Sequence, residues 1–162
     1  MIKKLLYNSN NPSKSAYFWN TTAAMLNAFQ TVFILMLISR IDPVIDAGVF
    51  TIAFAIGNLM MTIGKYGIRQ FQVSDVNEKY SYKEYFTSRI FTTIAMIVVS
   101  IIYVGYNYRI GLYNIEKCAV ILLICLAKAV DAFEDVFHGM LQQYLRLDIA
   151  GKILTTRLFT YI

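Results

Sequence analysis

Charge is scarce in this chain. Asp, Glu, Lys and Arg make up 15% of its 162 residues, where soluble domains carry about 25%. That shortage excludes an ordinary soluble enzyme as the starting expectation. Histidine is nearly absent: His138 stands alone, so a His-rich metal site has nothing to assemble from and a Ser-His arrangement would hang on one residue. There are two cysteines, Cys118 and Cys125, placed on one predicted helix about 10 Å apart along its axis, too far to bridge each other. Two buried thiols are expected, and no disulfide framework. No GxxxxGK[ST] phosphate loop occurs, and no HExxH, CxxC or Gly-x-Ser-x-Gly string. An ATP motor, metal chemistry and acyl chemistry therefore have no carrier here. Neither catalytic residues nor a cofactor is expected.

What the chain does have is apolar mass, with 57% hydrophobic residues and a mean hydropathy of +0.52. The apolar residues gather in blocks of about 20, the length at which a helix crosses a hydrocarbon layer of about 30 Å. Four complete spans are predicted, at about 16–39, 44–64, 88–106 and 115–135, with the start of a fifth from about 149. The expected fold class is all-α, a polytopic transmembrane helix bundle. The unfinished fifth helix suggests that residues 1–162 are the N-terminal part of a longer bundle. The first apolar block follows Lys3, Lys4 and Lys14 and is too long for the core of a signal peptide, so it is expected to stay as an anchor.

Loop charge predicts the orientation. Lys and Arg total eleven on one side (Lys3, Lys4, Lys14; Lys65, Arg69, Lys79, Lys83, Arg89; Arg146, Lys152, Arg157) and three on the other (Arg40, Arg109, Lys117). Under the positive-inside rule the N-terminus, the segment from Lys65 to Arg89 and the Arg146 segment are cytoplasmic. The net charge of +5 is then a topology signal, and nucleic acid is not needed to explain it. Tyr17, Phe18 and Trp19 near one end of the first helix, and Tyr103, Tyr106 and Tyr108 near the outer end of the third, suit the headgroup level. With 15% aromatic residues, some Tyr falls near any helix end, so this signal is shared with chance.

Two spans carry polar faces. Asn20, Asn27 and Gln30 or Thr31 recur on one face of the first, with Ala23 and Ala24 between them. They suit hydrogen bonding to a neighbouring helix, at about 0.6 kcal/mol each, or the lining of a hydrated cavity. On the second, Thr51, Asn58, Thr62 and Lys65 share a face, and Ala53 and Gly57 form a small-xxx-small pair that admits another helix closely.

The fourth stretch is the most informative. Lys128, Asp131, Glu134, Asp135 and His138 fall within about 120° of its circumference, while Leu123, Leu126 and Phe133 lie on the rest. Ionisable side chains inside a membrane are costly and face a protein interior, a cavity or the interface. Lys128 with Asp131 and Glu134 with His138 are spaced to pair, and the crowding of three carboxylates near one Lys suits proton coupling. If the helix continues past Gly139, the stripe reaches Gln142 and Arg146, about 27 Å from Lys128. The competing reading is positional: the span leaves the hydrocarbon near Asp131 to Asp135, Lys128 snorkels outward, and the later residues are wet. Lys128 and Asp131 lie deepest on this topology, with Glu134, Asp135 and His138 near the cytoplasmic mouth.

Between the second and third spans, Gly64 and Gly67 relax the helix before Arg69-Gln70-Phe71-Gln72-Val73-Ser74-Asp75-Val76, and Ser81 precedes Glu84 as a capping box. By physics alone this is a basic interfacial linker able to meet an anionic headgroup. That string, with Tyr80-Ser81 and the stretch from Tyr85 to Arg89, resembles the polysaccharide flippases, the O-antigen or lipopolysaccharide repeat-unit transporters. Lys128, Glu134-Asp135, Gly139, Gln142, Arg146 and Asp148 are similar to the fourth helix and following loop of that family. The resemblance covers nearly the whole chain and corresponds to the first third or so of a typical member.

The resemblance implies a fold like that of the multidrug and toxin extruders (MATE-like), two bundles of six helices around a cavity. It implies transport of lipid-linked oligosaccharides across a bacterial cytoplasmic (inner) membrane by alternating access on an ion gradient, without ATP hydrolysis. The implied partners are the lipid bilayer, the lipid-linked glycan and the glycan polymerase machinery. Asn27, Gln30, Asn58, Arg69 and Lys128 are then expected along the substrate path, with Arg69 and Lys128 meeting pyrophosphate or acidic sugar as fork and point charge. Asp131, Glu134 and Asp135 are the expected ion-coupling residues. A noncatalytic membrane scaffold or degenerate remnant, and a multidrug exporter on the same fold, are the alternatives.

Overall fold

The computed structural model describes the backbone of residues 12–41 and 45–161 and the side chains of residues 14–37, 40 and 48–157. Lys3, Lys4 and Val44, used above for orientation and boundaries, lie outside the described residues. Among the described residues six helices follow in order: α1 (Pro12–Ile41), α2 (Ile45–Lys65), α3 (Ile68–Ser74), α4 (Tyr82–Arg109), α5 (Ile115–Gln143) and α6 (Leu147–Tyr161). The described residues are all-helical, as expected, and no strand occurs among them.

Among the described residues three segments are long and apolar enough to cross a membrane: Lys14–Leu37, Gly48–Ser74 and Tyr82–Arg109. Four complete spans were expected. The helix missing from the set is α5, which at 29 residues has the length but carries Glu116 and Lys117 at its start and Lys128, Asp131, Glu134 and Asp135 in its second half. The charged stripe that makes α5 interesting is what separates it from the purely apolar helices. Several ends also differ from expectation, because capping and packing set them and apolar content does not. Thus α4 starts at Tyr82, where the Glu84 carboxylate accepts the Ser81 backbone N–H at 2.6 Å and its hydroxyl at 2.9 Å. This is the capping box read from the sequence.

α3 was expected only as a linker. Tyr66 and Gly67 take left-handed backbone angles, φ 39 and 67, which end α2 and turn the chain. A short helix then forms because Ile68 and Gln72, four residues apart, bury one face. At the other end of the charged stripe, α5 runs past Gly139 but stops at Gln143, so Arg146 lies in the following turn and pairs with Asp148 at 3.1 Å.

The core sits where α2, α4 and α5 meet, around Ala53, Met60, Met96, Ile121, Cys125, Ala129 and Ala132. The expected small-residue pair is used there: Ala53 is fully buried, and a Cβ on Gly57 would lie 2.7 Å from Ile124 Cγ2 and 3.3 Å from Lys128 Cγ. Cys125 is buried and Cys118 half-buried, both as free thiols. A second cluster of Ile68, Tyr85 and Val136 seats α3 against α4 and α5.

α1 and α6 form a separate layer, packed along each other far more extensively than either touches the α2–α5 body. Asn20 Nδ2 donates to the Leu147 carbonyl at 3.2 Å across them. Gly151 brings the two backbones together, since a Cβ there would stand 2.9 Å from Asn20 N and 2.8 Å from Trp19 Cβ.

Candidate functional site

A cavity of about 460 Å³ opens between the α1–α6 layer and α2 and α5. Asn27 comes from α1, Asn58 and Lys65 from α2, Arg69 from α3, Arg157 from α6, and Lys128, Asp131, Glu134, Asp135 and His138 from α5. All five members of the charged stripe thus share one cavity wall. Gln30 faces a second, more apolar cavity of about 370 Å³, in which Asn27, Thr31, Phe54, Lys128, Asp131 and Arg157 also take part. The two cavities therefore meet at those residues. Every sequence-predicted path residue lies on one cavity or the other, because helical periodicity places side chains on a common face whatever the neighbour turns out to be.

The polar face of α1 serves both of its expected uses: Asn20, Asn27 and Thr31 all line the cavity, and Asn20 also joins α1 to α6. On α2, Asn58 and Lys65 line the cavity and Thr62 bonds back to its own helix at the Leu59 carbonyl, 2.6 Å away.

The carboxylates are not gathered around Lys128 as expected. Asp135 lies between two guanidinium groups, Arg69 Nη1 at 3.2 Å from Oδ1 and Arg89 Nη2 at 3.0 Å from Oδ2. Asp131 meets Arg157 at 3.1 Å and Lys128 at 3.8 Å, and Glu134 meets Arg157. Glu134 thus pairs with α6 and not with His138 as its spacing suggested. Lys128 Nζ also rests over the Phe54 ring, 4.4 Å from its centre, a cation–π contact of the kind that compensates partial desolvation.

Burial within the protein differs along the stripe: the Asp135 side chain is 10% exposed, against 33% for Asp131 and 35% for Glu134. Helix α3 covers Asp135, and α3 was not visible as a helix in the sequence.

In the sequence, Arg157 registers only as a topology charge, and Arg89 as another and as the end of the Tyr85-to-Arg89 stretch. Arg89 is wholly buried and donates through Nη1 to the Gly64 and Lys65 carbonyls, both at 2.9 Å. Those oxygens belong to the last turn of α2, whose carbonyls have no intrahelical donor. Thr92 Oγ1 adds a third bond, to Gly64 at 2.9 Å. Arg89 is the one charged residue within the expected span 88–106, and that was the available signal.

Much of the string that carries the family resemblance lies in this interlock. Arg69 donates to Gln142 Oε1 through Nε at 3.1 Å and Nη2 at 2.8 Å. Gln72 packs onto Gly139, where a Cβ would run into its Oε1. Asp75 accepts from the backbone of Lys79 and Tyr80 at 3.0 Å each and from the Tyr85 hydroxyl at 2.7 Å. The two backbone donors, Lys79 first, hold the Asp75 carboxyl below its usual range. Gln143 Nε2 then donates to the Asp75 carbonyl at 3.2 Å, fastening the end of α5 to the end of α3.

Among the described residues no group of His, Cys, Asp and Glu is arranged to hold a metal ion. No family model matches this chain, and neither does any curated protein or solved structure.

Proposed function

We propose that this protein is part of a multi-pass membrane transporter whose α1, α2, α5 and α6 line a hydrated path for the anionic headgroup of a lipid-linked oligosaccharide. The observation that carries this reading is the composition of the cavity. Lys65, Arg69, Lys128 and Arg157 line it together with Asp131, Glu134 and Asp135, with Asn27 and Asn58 alongside. A concave site with charged and amide groups between apolar helices is where a polar cargo would cross. The excess of cations favours phosphate or acidic sugar over the organic cation that a drug exporter would take.

In this proposal α5 is the fourth crossing, its charged face turned to the cavity and Leu123 and Leu126 exposed away from it. Arg69 and Lys128 meet the negative headgroup. Asp131, Glu134 and Asp135 exchange their arginine partners as the coupling ion or the cargo binds. The N-terminus is cytoplasmic, and the membrane is the bacterial inner membrane.

Transport is tested by expressing the full reading frame in cells that lack their own flippase and measuring delivery of the lipid-linked glycan to the outer leaflet. Wild type restores delivery, and the combined Lys128→Ala, Arg69→Ala and Asp131→Asn variant does not. Normal delivery by that variant sinks the residue assignment, and no delivery by wild type sinks the transport reading.

The second reading, a scaffold in which the charges only join helices, draws on the pairing of all three carboxylates with arginine. It predicts that Asn27→Cys stays closed to a water-soluble maleimide, whereas a hydrated path predicts fast labelling.

A further inference from the structure

Arg157 occupies a singular place. It projects from α6, packs at the junction of the two cavities, and meets Asp131 and Glu134 on α5. The α1–α6 layer has its own internal fastening, from the Asn20 bond to Leu147 and the close approach at Gly151. The α2–α5 body has another, from Arg89, Asp135 and the small-residue core. Between layer and body, packing is thin by comparison, and the space is cavity.

A guanidinium that reaches one carboxylate with each Nη is suited to hold such layers together without apolar burial, because its fork fixes the direction of both contacts. It is also reversible, since an anion can take the guanidinium or a cation the carboxylates. Packed interfaces of this kind switch between discrete arrangements and do not deform gradually.

We infer that Arg157 is an ionic clasp. It closes the α1–α6 layer onto α5 and shuts the passage between the two cavities, and its release lets that layer swing as one unit. The clasp is a property of the two packed layers and holds whether or not a glycan is the cargo.

The test measures distances between spin labels on the full-length protein in lipid nanodiscs, with Cys118→Ser and Cys125→Ala as background. Met25→Cys with Leu59→Cys reads across the two layers, at positions that are both exposed. Met25→Cys with Ile153→Cys reads within the layer, and Leu59→Cys with Phe91→Cys reads within the body; these sites are exposed as well. With Arg157→Gln, and separately with Asp131→Asn plus Glu134→Gln, the cross-layer distance lengthens and broadens while the other two stay as in wild type.

An unchanged cross-layer distance in either variant overturns the clasp. So does broadening of all three distances together, which would make Arg157 a support of the whole fold. Because the readout is a distance and not delivery of glycan, failure here is separate from failure of the transport assay.

Discussion

Arg89 Nη2 lies 3.0 Å from Asp135 Oδ2, while the Nη1 of the same guanidinium caps the Gly64 and Lys65 carbonyls at 2.9 Å each. One buried side chain thus closes the end of α2, reaches from α4 to α5, and neutralises a carboxylate that also holds Arg69 of α3. Four helices depend on it.

Removing that group leaves the buried Asp135 carboxylate with Arg69 as its remaining guanidinium, takes the side-chain donor from the Lys65 carbonyl, and leaves Thr92 alone on the Gly64 carbonyl. Arg89→Leu is therefore expected to destabilise the fold by about 3–5 kcal/mol, the range for breaking a buried pair from one side. Thermal unfolding in detergent measures it. Removing both partners, as Arg89→Leu with Asp135→Leu, should cost less than the two single losses added together, because neither charge is stranded. A loss under about 1 kcal/mol for Arg89→Leu alone would show that the network is not needed for stability.

The chain's glycines divide by what surrounds them. At Gly151 a Cβ would stand 2.8 to 2.9 Å from three atoms of Trp19 and Asn20, two of them backbone. Gly151→Ala should therefore push α1 from α6 and cost about 1–3 kcal/mol. A Cβ at Gly105, within α4, would have nothing within 4 Å. Gly105→Ala should instead stabilise by up to about 1 kcal/mol through helix propensity. Opposite signs for the two in unfolding experiments support the packing; equal signs contradict it.

Leu145 ends α5 in a left-handed conformation, φ 56. The Leu145 N–H bonds the Gln142 carbonyl at 3.0 Å and the Arg146 N–H bonds the Leu141 carbonyl at 2.7 Å. This is the hydrogen-bond pattern of a Schellman cap, with leucine where glycine is usual. Its side chain is 83% exposed and so contributes little packing. Leu145→Gly is expected to raise stability by about 1 kcal/mol by relieving the steric cost of that conformation. A lower midpoint of unfolding would mean that the side chain has a contact partner in the membrane.

Asp75 gives a pH dependence of known sign. Its carboxyl lies below the usual 3.8, held there chiefly by the Lys79 and Tyr80 backbone donors. A depressed carboxylate contributes stability above its unfolded value and loses that contribution as pH falls through the folded one. Protection of the Lys79 and Tyr80 amides from hydrogen exchange should thus persist down to 3.8 and disappear only below it. Asp75→Asn should remove this step. Loss of protection well above 3.8 in wild type would contradict the geometry.

Helix class and membrane character were legible in the residues themselves. Apolar blocks of spanning length, a capping box at Ser81, and a small pair at Ala53 and Gly57 are local signals, set by side-chain chemistry and a period of 3.6 residues. The common face of Lys128, Asp131, Glu134, Asp135 and His138 was determined in the same way, since a helix fixes angular position before any neighbour arrives. What occupies the space opposite that face is not local. Arg69 and Arg89 lie 66 and 46 residues from Asp135, and Arg157 lies 23 from Glu134; only the packing of α3, α4 and α6 against α5 brought them there. Long-range ion pairing carries no periodicity along the chain. The sequence alone therefore determined which groups share a surface, and the tertiary structure decided that Asp135 would be enclosed by two arginines and that Arg157 would stand between two cavities.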